Sequence, residues 1–121
     1  LAVGLSPLTE LCWQAGCEMR FIRELSGHVP LTNENLETTV EGIYAAGDVS
    51  GVEEASSAMV EGRLAGYAAA ESLGYEVEKA KVLKADAAAE LAELRSGPAG
   101  ERILAGIKKS EALYEEVKGG K

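Results

Sequence analysis

The sequence predicts an α/β chain in which a few short strands precede a long helix and a carboxy-terminal helical hairpin. Three observations predict it. Strand-like apolar runs occur at residues 1–5, 17–22 and 38–46. From residue 53 to about 73, Ala55, Ala58, Gly62, Ala65, Gly66 and Ala69 recur at spacings of three and four, the period of one helix face. Residues 76–121 are rich in Ala, Glu and Lys and contain no Cys, Trp or Phe.

Residues 1–5, Leu-Ala-Val-Gly-Leu, are uniformly apolar and read as a buried parallel strand rather than a half-exposed one. Such a strand needs neighbours on both edges, and little downstream offers them. The chain is therefore expected to be cut within a domain. The other reading is a self-contained small protein whose first strand pairs with a later hairpin.

Pro7 is tolerated in a first helical turn, so residues 8–15 read as a short helix closed by Gly16. Cys17, Met19 and Phe21 alternate with polar neighbours and predict a half-exposed strand over 17–22. Gly27 and Pro30 mark a turn, and residues 31–36, with Asn33 and Asn35, read as irregular. Thr38, Thr39 and Val40 favour strand, Glu41 and Gly42 turn, and residues 43–46 favour a second strand ending at Gly47 and Asp48. Glu53 or Glu54 opens the long helix, and Gly74 ends it. In the tail, Asp86 suits the N-cap of a helix reaching Arg95, with Glu90 and Glu93 facing solvent. After Gly97 and Pro98, an apolar stripe of Ile103, Ile107, Leu113 or Tyr114, and Val117 predicts a last helix.

Composition excludes several functions. A chain of 121 residues is long enough for one domain with a core, and 46% hydrophobic with 26% charged residues is ordinary for a globular protein. The formal charge of −8 repels phosphate backbones, so nucleic acid is not an expected partner. No run approaches the ~20 apolar residues of a membrane span, and no basic-flanked signal peptide is present; a cytoplasmic location is expected. Cys12 and Cys17 are five positions apart, do not form C-x-x-C, and are expected to be free and buried rather than metal ligands.

The chemistry is expected at the junction between the second strand and the long helix. A strand delivers Asp48 at its carboxyl end, where open α/β sheets place ligands. Gly47, lacking Cβ, lets backbone approach a bound molecule. The simpler reading is that Asp48 or Ser50 merely caps the following helix. Trp13 reads as packing, His28 as a surface turn residue, and Arg63 and Arg102 as solvated. The pair Gly62 and Gly66 lies among charged residues, so it suits close helix–backbone packing rather than membrane pairing.

Residues 38–48, Thr-Thr-Val-Glu-Gly-Ile-Tyr-Ala-Ala-Gly-Asp, resemble a signature of the FAD-dependent pyridine-nucleotide-disulfide oxidoreductase superfamily. The resemblance covers about residues 1–74, with 1–7 similar to the strand and turn that leave the NAD(P)H-binding domain. It implies that residues 1–74 are the carboxy-terminal part of a FAD/NAD(P)-binding oxidoreductase domain and that 75–121 are a helical tail. It also implies that the Asp48 carboxylate accepts hydrogen bonds from the FAD ribitol. Gly47 would allow close approach, and Glu54 and Ala55 match a helix start facing the flavin's pyrimidine edge. Residues 51–55 look most similar to FAD/NAD-type subunits of amino-acid and amine dehydrogenases, a group that includes the sarcosine oxidase alpha subunit, hydrogen cyanide synthase and dye-linked proline dehydrogenase.

Several departures accompany that resemblance. No G-x-G-x-x-G phosphate cradle is present, no C-x-x-C, and no Cys lies in 76–121, where some relatives carry an iron–sulfur module. These absences imply a segment or subunit of a FAD-dependent oxidoreductase, inactive and poorly retaining FAD by itself. NAD(P) is a second candidate cofactor. The expected partner is the remainder of the flavoprotein or a companion subunit, with homo-oligomerisation if the chain is expressed alone. The alternative is a non-catalytic helical assembly module derived from such a domain.

Overall fold

The computed structural model of the chain describes residues 7–51, 53 and 55–119. The strand expected at 1–5 and the helix-start residue Glu54 lie outside the described residues.

Helix α1 (Glu10–Gln14) is shorter than the 8–15 span expected, and Cys12 is its buried residue. Strands β1 (Met19–Ile22) and β2 (Gly27–Pro30) pair antiparallel, in register from Met19↔Pro30 to Ile22↔Gly27. The turn expected at 27–30 is thus a strand. The reversal comes earlier, in a 3-10 turn at Arg23–Leu25 that closes on Ser26 at φ 67. Gly27, Val29 and Pro30 are buried and His28 is exposed. The Gly and Pro at the strand's ends mask that alternation in the sequence.

Residues 31–46 form a tightly bridged loop rather than a regular hairpin. Single antiparallel bridges join Thr32 to Thr38 and Glu37 to Tyr44. The expected turn is present: Ile43 N–H donates to the Val40 carbonyl at 3.0 Å, and Gly42 takes φ +86. The two flanking strands expected there are reduced to these isolated bridges. Thr38 explains part of this. It is 1% exposed, and its hydroxyl accepts from Val40 N–H at 3.2 Å, so side chain replaces ladder.

Helix α2 (Ala55–Ser72) runs close to its expected span. Helix α3 (Val77–Leu94) begins nine residues before Asp86, which lies inside the helix rather than at its cap. Residues 77–85 are mostly good helix formers, so the helix propagates through the candidate stop. Helix α4 (Pro98–Gly119) is the last element among the described residues.

Packing departs from the expected tail hairpin. α3 lies along α2, where Val60, Leu64, Ala87 and Leu91 form one cluster. α4 instead returns to β1 and the Arg23–Leu25 turn. There Ile103, Ile107, Leu113 and Val117 cover Ile22, Leu25, Val29 and Leu31, with Tyr114 buried among them. The apolar stripe read from the sequence is therefore the interface. A third cluster joins Cys12, Cys17 and Met19 to Val40, Ile43 and Val49. Both cysteines are free and buried.

Gly62 and Gly66 are exposed, with nothing among the described residues within 4 Å of where a Cβ would stand, so the close packing expected of them is not made to these residues. One other expectation is corrected. Trp13 is 54% exposed rather than packed in the core. Its ring and that of Phe21 flank His28, at centroid distances of 5.8 and 5.4 Å.

Candidate functional site

The site is the turn that links the bridged loop to α2. Ala45 N–H donates to the Leu36 carbonyl at 2.9 Å and Ala45 is 3% exposed, which fixes the approach to the turn. Gly47 then adopts φ 89 and ψ −151, a conformation that L side chains rarely reach. A Cβ there would meet only the Ala58 Cβ at 3.8 Å, so backbone shape rather than crowding demands glycine. Residues Asp48–Ser50 form a 3-10 turn, closed by Ser50 N–H to the Gly47 carbonyl at 3.0 Å and by Gly51 N–H to the Asp48 carbonyl at 3.1 Å. Asp48 is exposed at its tip.

A buried ion network holds the turn from below. The Glu61 carboxylate accepts from Gly47 N–H at 2.7 Å, and Ser50 Oγ lies 3.3 Å from the same oxygen. The Ser50 hydroxyl is closer to the Gly47 carbonyl, at 2.9 Å, and its single proton goes there. The second Glu61 oxygen accepts from Arg95 Nη2 at 2.6 Å. Arg95 also grips Glu53 through Nη2 at 2.5 Å and Nε at 3.0 Å. Glu61 is 4% and Arg95 5% exposed.

Burial pushes the Glu61 carboxyl above the usual carboxylate range, against the pull of the Gly47 N–H and the guanidinium, and Glu53 adds to the push. Burial works the other way on Arg95, but the two carboxylates outweigh it and hold its pKa above the usual value. A guanidinium that cannot lose its proton at ordinary pH is the suitable centre for such a triad.

Of the residues expected at the site, Gly47 and Asp48 form the turn, and Ala55 is the first residue of α2 and exposed. Glu61 and Arg95 were not singled out from the sequence for this site. Their signal is a charge on each of two buried stripes: Ser57, Glu61, Leu64 and Ala68 on α2, and Ala87, Leu91 and Arg95 along α3 and its end. Opposite charges on facing apolar stripes are a recognisable pattern once the helices are known to pair.

Two hollows adjoin the turn. One, of about 220 Å³, is lined by Leu36, Ser50, Glu61, Leu91, Arg95 and Ile107. It falls below the ~300 Å³ at which ligand pockets usually begin. The other is a shallow groove of about 560 Å³ lined by Leu8, Leu11, Ile43, Ala46 and Val49, in which Leu8 and Leu11 are 77% and 78% exposed. Among the described residues no His, Cys, Asp or Glu group is arranged to hold a metal ion, and no helix is long and apolar enough to cross a membrane.

The family model for pyridine nucleotide-disulphide oxidoreductase matches residues 1–62, just over half of the chain. The chain is similar to the A-subunit of opine oxidase from Rhizobium meliloti, with 42% identity over 71 residues, 59% of this chain and 14% of that protein. The opine oxidase A-subunit of Agrobacterium tumefaciens (strain Ach5) is 44% identical over 66 residues, 54% of this chain and 13% of the relative. That of Rhizobium meliloti (strain 1021) is 34% identical over 91 residues, 74% and 20%. The matched stretches thus span 13–20% of these relatives' lengths. No solved structure matches.

Proposed function

Because the chain belongs to the pyridine nucleotide-disulphide oxidoreductase family, we propose that it forms part of a FAD-dependent oxidoreductase and supplies contacts to the flavin's ribitol and pyrimidine edge. The observation that carries this is the exposed Asp48 carboxylate on a glycine-shaped turn ahead of α2. Its chemistry fits the group. A carboxylate is an acceptor only, and the ribitol of FAD offers several hydroxyl donors. The start of α2 has backbone N–H groups without helical partners, suited to the electron-rich pyrimidine edge, with Ala55 at that start.

A bound flavin supplies hydride transfer, and NAD(P) is a candidate second cofactor. This chain's residues bind and orient. Asp48 accepts the ribitol hydroxyls, Gly47 keeps the approach clear, and Ala55 opens the helix toward the ring. Residues 1–74 are the oxidoreductase-derived part and 75–121 a helical tail. Phosphate binding falls to a companion segment or subunit, and the relatives' designation as opine oxidase A-subunits supports a multi-chain assembly. The groove at Leu8, Leu11 and Ile43 offers that companion an apolar face. An amino-acid or amine dehydrogenase of cytoplasmic location is the narrower reading.

The test is FAD titration of the chain assembled with its nucleotide-binding companion. Asp48→Ala is expected to weaken FAD by about tenfold or more, the worth of a charge-assisted hydrogen bond. Unchanged affinity refutes the assignment.

A further inference from the structure

Arg95 lies well beyond the family-matched residues, in the connection between the two tail helices, yet it reaches both ends of the Asp48 turn. Below the entrance, Glu61 links its guanidinium to Gly47 N–H, at 2.6 and 2.7 Å. Past the exit, Glu53 takes Nε and Nη2 in a two-point grip. We propose that Arg95 is a positioning residue for the cofactor turn: it orients Glu61 and Glu53 so that the turn from Gly47 to Gly51 holds Asp48 in a fixed presentation. The proposal rests on the reading of Asp48 as the flavin ribitol ligand.

The geometry makes the guanidinium necessary to the turn. The Glu61 and Glu53 side chains are 6% and 11% exposed, and two carboxylates this buried repel each other unless a cation lies between them. Released from Arg95, Glu61 would turn toward water or take up a proton, and either change weakens its hold on Gly47 N–H. Lysine keeps the charge but lacks the planar fork that engages two carboxylates at once. Substitution by Lys therefore separates positioning from simple charge neutralisation.

The first measurement is hydrogen exchange on the FAD-free chain. Arg95→Lys is expected to speed exchange of the Gly47 amide about tenfold or more. The Leu31 amide, bonded to the Glu18 carbonyl at 2.9 Å in the other core, should hold its rate. Glu61→Gln retains an acceptor for Gly47 and is expected to give an intermediate rate. Equal acceleration at Gly47 and Leu31 would mark a general loss of stability and overturn the proposal, as would no acceleration at either. The second measurement is FAD titration of the assembled protein, with Asp48→Ala alongside. If Arg95→Lys and Asp48→Ala both weaken FAD about tenfold, the proposal stands. Weakening by Asp48→Ala alone removes Arg95's positioning role while the flavin reading survives. No effect of Asp48→Ala removes the flavin reading, and with it this proposal.

Discussion

Gly47 and Glu61 are joined across the junction of turn and helix: the glycine's N–H donates to the glutamate's Oε1 at 2.7 Å, fourteen residues on. This bond couples the backbone of the Asp48 turn to the buried interface between α2 and α3. Substitution and pH both act on that coupling.

Glu61→Ala is expected to be among the costliest single changes. It strips Gly47 N–H of its acceptor and leaves Glu53 alone against a buried guanidinium. Breaking a buried, hydrogen-bonded ion pair costs about 3–5 kcal/mol. Glu61→Gln keeps an acceptor and should cost less. Denaturant midpoints of the two variants check both the size and the order.

The pH dependence has two opposed components. The folded-state pKa of Glu61 is raised above 4.5, chiefly by burial. Its contribution is fully present below the unfolded value and is lost as pH rises through the folded one. Glu24 runs the other way. Its carboxyl is lowered, first by the hydrogen bond from Lys109, so its contribution is present above 4.5 and lost as pH falls through the folded value. Midpoints measured from acid to neutral pH should flatten on the rising-pH side in Glu61→Gln and on the falling-pH side in Lys109→Met.

Two glycines on helices should respond to alanine with opposite signs. A Cβ at Gly106 would stand 2.7 Å from Leu25 Cγ and 2.9 Å from Glu24 Cβ, so Gly106→Ala pushes α4 off the hairpin and should cost about 1–3 kcal/mol. Gly62→Ala meets nothing within 4 Å and should gain up to about 1 kcal/mol from helix propensity. Thermal unfolding of both variants distinguishes crowding from propensity.

Thr38→Val should destabilise the bridged loop by about 1–2 kcal/mol, because the Thr38 hydroxyl accepts from Val40 N–H and from Cys17 Sγ, at 3.2 and 3.4 Å. The check is a denaturant midpoint together with faster exchange of the Val40 amide.

The sequence made some of this legible and hid the rest for physical reasons. The long helix was readable because small residues recur along one of its faces and Gly74 follows its end. The α4 stripe was readable because Ile103, Ile107 and Val117 keep one period across a single interface. β2 was obscured because Gly27 and Pro30 are turn formers at its two ends, and the strand is fixed by burial of Val29 instead. The start of α3 was misplaced because a good capping residue, Asp86, sits where no cap is needed. At the site, Gly47 and Asp48 stand out as a local dipeptide. Glu61 and Arg95 are 34 residues apart and meet only once α3 folds back on α2. No local pattern records such a meeting.

The return of α4 to the first hairpin has a consequence for biosynthesis. Ser110 Oγ accepts from Thr32 N–H, a bond spanning 78 residues, and Tyr114 fills the core beside Ile22. While the chain is emerging from the ribosome, Ile22, Leu25, Val29 and Leu31 lack their cover until the closing helix has been made. Such long-range closure is slow and leaves sticky surface bare in the meantime. A stop codon anywhere between residues 98 and 113 should therefore yield insoluble product, even with the Asp48 turn fully translated.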